Sequence, residues 1–172
     1  MILSCEKPTE IRNYPNDVPL NNFETREINL DTTKLNFKGI TNWVSSNDWD
    51  DKISLIEIKD GNIIKRIFPH TFAGDFFSEK NILKITSDSI LEDTGYPIEK
   101  LKPILTKHYL NIKNNYPYSK SPQFSMVNVT IDTSKTATEL KEFLKKITRT
   151  FDELNSEHQD SLELRLDRKS VV

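Results

Sequence analysis

Between Thr136 and Leu154 the chain has little conformational freedom. Leu140, Phe143, Leu144, Ile147, Phe151 and Leu154 recur at helical spacing on one face, and Thr136 with Glu139 has the spacing of a capping box. The pattern predicts a helix over 137–155. An unbroken apolar stripe must lie against something, and the rest of the sequence offers strands to meet it. Residues 53–58 (ISLIEI) and 63–68 (IIKRIF) flank Lys59-Asp60-Gly61-Asn62, where Asp-Gly supplies the positive φ of a two-residue hairpin turn. Ile28, Leu30, Leu35 and Phe37 alternate with polar residues between Glu27 and Ile40. Another strand is expected at 82–85 (ILKI), a further one where Val127, Val129 and Ile131 alternate with Asn128 and Thr130, and a closing one at Leu162, Leu164 and Leu166.

A second helix is expected over 98–112 from Ile98, Leu101, Leu105, Tyr109 and Ile112, starting near Lys102 or kinked because Pro103 lies inside the pattern. The stretch carrying Trp43, Asp48, Trp49, Asp50 and Asp51 reads as a polar loop, 113–123 as a Pro-bounded loop, and 72–77 as an aromatic-rich connection. Residues 6–26 hold Pro8, Pro15 and Pro19 and show neither period, so they read as an extended tether. No internal repeat with a period of roughly 20–50 residues is visible. The expected fold class is α+β: a mixed β-sheet with an N-terminal strand and hairpin region, and two amphipathic helices, 98–112 and 137–155, packed on it. Residues 1–26 form the tether and residues 27–172 a single domain.

A chain of 172 residues is long enough for one real core. No apolar run approaches the roughly 18–20 residues that a membrane-spanning helix needs. With 24 Lys+Arg against 26 Asp+Glu the net charge is −2, and no basic block offers nucleic acid a positive surface. The composition, with 15 Asn and 18 Ile against 2 Ala, reflects AT-rich codons, so Asn abundance is given no functional weight.

Cys5 is the single cysteine, which removes intrachain disulfides and cysteine metal clusters. Ile2-Leu3-Ser4-Cys5 has the form of the end of a bacterial lipoprotein signal, with an aliphatic residue at −3 and a small one at −1 before the lipidated cysteine. The basic and apolar parts of such a signal would have to be encoded upstream of Met1. The aspartates at 48, 50 and 51 do not fit a calcium loop, since the sixth and twelfth positions counted from Asp48 are Ile53 and Lys59. They read as a solvated turn. His70, His108 and His158 form no i, i+4 metal pair, and structural roles are expected for all three; a hydrolase built on His70 with Asp75 and Glu79 would require a concave pocket around it. No nucleophile elbow, phosphate loop or dinucleotide glycine pattern occurs. The expectation is a non-enzymatic protein with no catalytic residue, metal or cofactor. Tyr116 and Tyr118, in the Pro-bounded loop, are the interface candidates.

The strand ILKI, the connection SDSILEDTGYPI, the helix EKLKPILTKHYLN, the loop through Ser121-Pro122, the strand VNVTID ending in Asp132, the amphipathic helix and the closing LELRLD together resemble the periplasmic domain of the ExbD/TolR family of biopolymer-transport subunits. The resemblance covers residues 81–167, about half the chain. That family depends on an N-terminal transmembrane helix with a proton-carrying aspartate, which residues 1–80 do not contain, so no family functional residue carries over. What the resemblance implies is a cell-envelope domain that associates with protein partners or with itself.

Together these features point to a membrane-tethered, periplasm-facing binding or scaffold protein. Cys5 would be lipidated, and the membrane reached only through that anchor. Its partners would be proteins or further copies of the chain. The alternative is a cytosolic protein–protein interaction module of regulatory or immunity type.

Overall fold

The computed structural model describes residues 10–18, 23–49, 52–69, 78–92, 94–111 and 116–167. In chain order the elements are β1 (Glu10–Tyr14), β2 (Thr25–Asn29), α1 (Phe37–Trp49), β3 (Ile53–Asp60), β4 (Ile63–Ile67), β5 (Ile82–Ile85), β6 (Ser89–Ile90), β7 (Tyr96–Pro97), α2 (Leu101–Tyr109), β8 (Met126–Val129), α3 (Ala137–Glu157) and β9 (Leu166–Asp167). They make an α+β fold with two mixed sheets, ordered β1-β4-β3-β2 and β7-β6-β5-β8-β9.

The strongest local signals hold. β3 and β4 pair antiparallel with Ile56 opposite Ile67 and Asp60 opposite Ile63, turning through Gly61 at φ +65°, where a side chain would be strained. α3 begins at the capping box: the Glu139 N–H donates to Thr136 Oγ1 at 3.2 Å and the Thr136 N–H donates to Glu139 Oε2 at 2.8 Å. Other expectations are corrected. Residues 10–14, read as part of a tether, form β1, which pairs parallel to β4. Residues 37–49, read as strand end and loop, form α1. The α2 helix is shorter than 98–112, following a 3-10 turn at Ile98–Lys100, and Pro103 falls in its first turn, where no intrahelical donor is lost. The final strand is confined to Leu166–Asp167.

The two sheets share a structural unit. In β2-α1-β3 and again in β8-α3-β9, a helix joins two adjacent parallel strands. Each helix is approached through matching residues, Leu30-Asp31-Thr32-Thr33-Lys34 in one and Ile131-Asp132-Thr133-Ser134-Lys135 in the other. The caps match too. The Gly39 N–H donates to Asn36 Oδ1 at 2.9 Å, as the Glu139 N–H does to Thr136 Oγ1. Asn36 and Thr136 then meet each other in an antiparallel bridge, and the carbonyls of Lys135 and Thr133 accept the Phe37 and Lys38 amides at 2.7 and 3.3 Å. Equivalent residues pairing antiparallel define a local two-fold relation, so the start of α1 is satisfied largely by the loop before α3.

Both helices lie between the sheets. Ile40 and Val44 of α1 and their counterparts Leu140 and Leu144 of α3 line a core cavity of about 70 Å³, with Ile56 and Ile67 from one sheet and Val129 and Leu166 from the other. α2 packs beside α3, Tyr109 meeting Phe151 edge-on at 5.5 Å. The fully buried His108 ties α2 to the sheet: Nε2 lies 3.2 Å from the Asn81 carbonyl and 3.1 Å from that of Met126. Both partners are acceptors, so Nε2 carries the proton, and Nδ1 is buried without a partner.

Candidate functional site

In β4, Ile63, Lys65 and Ile67 share the inward face while Ile64 and Arg66 face out, as strand alternation requires. Lys65 is therefore carried into the core, where it is 1% exposed. Burying an ammonium costs several kcal/mol unless charge and hydrogen bonds compensate it. Here Nζ donates to Thr148 Oγ1 at 2.9 Å and to Asp152 Oδ2 at 3.2 Å, lies 3.3 Å from Asp60 Oδ2, and sits 5.8 Å from the centre of the Tyr14 ring. Thr148 and Asp152 lie four positions apart on one face of α3.

Each carboxylate has further donors. Asp60 is gripped by both ends of the Arg149 guanidinium, with Nε at 2.9 Å. That bond first, with Lys65 contributing, holds the Asp60 carboxyl down to about 2 against the opposing effect of burial. Asp152 accepts Arg12 Nη1 at 2.9 Å and the Tyr14 hydroxyl at 2.8 and 3.0 Å. Burial, and then the charge of Asp152, push the Tyr14 phenol well above its ordinary value, so it stays a donor.

Arg12, Tyr14 and Asp152 of this network line a cleft of about 390 Å³ between β1 and the C-terminal half of α3. Glu10, Arg12, Asn13, Tyr14 and Asn16 form one wall. Phe151, Asp152, Asn155 and Ser156, continuing into Asp160, Glu163 and Leu164, form the other. One end is pinned: the Asn16 N–H donates to Glu163 Oε2 at 2.7 Å, and Arg165 pairs with Asp17 at 2.7 Å. At the lip, Gln159 and Asp160 both adopt left-handed backbone at φ +58° and +53°, a conformation that costs a non-glycine residue about 1–2 kcal/mol. Asn155 supports this turn, its carbonyl accepting the Asp160 N–H at 2.9 Å and its Oδ1 accepting the Leu162 N–H at 2.8 Å. Asn13 Oδ1, on the opposite wall, is buried without a hydrogen-bond donor.

The cleft can supply fixed acceptors, negative charge and an aromatic edge from Phe151. Asp152 already receives three donors, so its orientation is set. The sequence reading missed this site. Its one local signal was Lys65 between two isoleucines on the same strand face, since a cation at a core position needs acids to meet it.

Of the residues read as functional from sequence, Cys5 and His70 lie outside the described residues, as do Asp50, Asp51 and Asp75. Tyr116 is 86% exposed, whereas Tyr118 is partly buried against the core, and its carbonyl accepts Asn111 Nδ2 at 3.3 Å. Neither tyrosine lines the cleft. Among the described residues no group of three or more His, Cys, Asp or Glu is placed to hold a metal ion, and no helix is long and apolar enough to cross a membrane. No family model, curated protein or solved structure matches the chain.

Proposed function

We propose that this chain is a non-enzymatic binding domain of the cell envelope, tethered through lipid on Cys5, whose binding site is the cleft between β1 and α3. The observation that supports binding is the commitment of Asp152 to Lys65, Arg12 and Tyr14, an arrangement that holds one wall of the cleft in a fixed shape. The lipobox-like Ile2-Leu3-Ser4-Cys5 and the likeness of 81–167 to the ExbD/TolR periplasmic domain support the envelope location.

A photo-crosslinking residue at Ser156, on the cleft wall, is expected to yield one discrete protein adduct in cells, while the same residue at exposed Lys84 yields none. Equal adducts from both positions, or none from Ser156, overturn the cleft as the binding site. Protein expressed with its native upstream codons is expected to carry diacylglyceryl mass on Cys5, and Cys5→Ala to leave the membrane fraction. An unmodified product that fractionates away from membranes overturns the tether and favours the cytosolic interaction module.

A further inference from the structure

We propose that the cleft accepts an extended peptide that adds to the free edge of β1, with side chains that alternate between basic and apolar. This rests on the cleft reading above and names the chemistry of its partner. β1 bonds to β4 through residues 10, 12 and 14. The Glu10 N–H donates to the Asn62 carbonyl at 3.2 Å and the Phe68 N–H donates to the Tyr14 carbonyl at 2.9 Å, at the two ends of the parallel register. The N–H and C=O groups of Ile11 and Asn13 therefore point away from β4, and among the described residues no hydrogen bond reaches them. Such a row is the usual docking line for an added strand.

The two faces of β1 dictate what that strand would carry. Glu10, Arg12 and Tyr14 face inward over the cleft, where Arg12, the one cation of the lining, already pairs with Glu10 at 2.6 Å and Asp152 at 2.9 Å, so side chains on that side of an added strand would meet the remaining acids, Asp160 and Glu163. Among the described residues the Asp160 side chain makes no hydrogen bond or ion pair, so it is free to receive a cation. Lysine or arginine fits this side. On the other face Ile11 is 51% exposed beside its register partner Ile64, which is half-buried, so the alternate side chains would rest on an apolar pair.

The test uses the whole protein and a short capped peptide of alternating lysine and valine, with alternating glutamate and valine as its counterpart. The lysine peptide is expected to bind and to slow amide hydrogen exchange at Ile11 and Asn13 by about tenfold. Binding should weaken with added salt and fall about threefold in Asp160→Asn, a residue type that tolerates left-handed backbone. Three outcomes overturn the proposal: the glutamate peptide binding equally well, the lysine peptide failing to slow those two amides, or slowing that grows with protein concentration without peptide, which would assign the edge to a second copy. A discrete Ser156 crosslink without the exchange effect removes the strand while leaving the cleft. Loss of both removes the cleft as well.

Discussion

Asp152→Ala is expected to lower the free energy of unfolding by about 3 kcal/mol, whereas Lys65→Met should cost about half as much. The asymmetry follows from which groups keep a partner. Without Asp152, the buried Lys65 retains Asp60 at 3.3 Å, the Thr148 hydroxyl and the face of the Tyr14 ring, and the Tyr14 hydroxyl loses its acceptor. Without the lysine, Asp60 keeps Arg149, and Asp152 keeps Arg12 and Tyr14. A methionine also fills much of the volume of the lysine stem. Urea unfolding of both variants, read as midpoints at unchanged slope, checks the order. Equal losses, or a larger loss for Lys65→Met, would show that the ammonium is what the network exists to hold.

The second large effect is one of acidity. Burial depresses His108 to about 4, outweighing the two carbonyls that would favour its charged form. With an unfolded value near 6.5, the depressed group binds fewer protons in the folded state than in the unfolded one. Its contribution is complete above pH 6.5 and is lost as pH falls toward 4, amounting to about 3 kcal/mol. Asp60 behaves in the same sense in a lower window, from its ordinary 3.8 down to about 2, so the two losses are separable. Unfolding midpoints measured at pH 7, 5.5 and 4 should decline in the wild type. His108→Gln can still donate to the two carbonyls but cannot titrate, so it should flatten that decline. A wild-type profile already flat between pH 7 and 4 would mean that the imidazole gains a proton without leaving its site.

The elements legible in the sequence are those whose causes are local. The hairpin is determined by Gly61 and its flanking alternation, and α3 by its own cap and stripe. α1 escaped because its apolar positions Phe37, Ile40 and Val44 are diluted by Gly39, Asn42, Ser45 and Ser46, all poor helix formers. A Cβ at position 39 would press on Asn36 Oδ1 and Leu35 at 3.3 Å, and two of the helix's first amides find acceptors in the loop before α3. That support is invisible to any short window. β1 escaped for the same reason, since EIRNY becomes a strand only by pairing with β4. The matching approaches to α1 and α3 are not legible as a repeat, because the two units stand far apart with unrelated chain between them. The cleft joins β1 to the end of α3, so no local pattern could reveal it; the lysine at an inward position of β4 was the one trace.

The bridge between Asn36 and Thr136 has a further consequence. Two equivalent loops meeting across a local two-fold is the contact that a symmetric pair of small subunits would make. Here one chain supplies both sides, so the contact cannot be lost by dilution. Subunits joined only by such a contact would fall apart at low concentration, but the two halves of this sandwich remain at a fixed local concentration set by the connecting chain. Each half can then depart from symmetry where the other compensates: Lys141 pairs with Asp31, whereas Thr41 and Asp132 stand at the corresponding places.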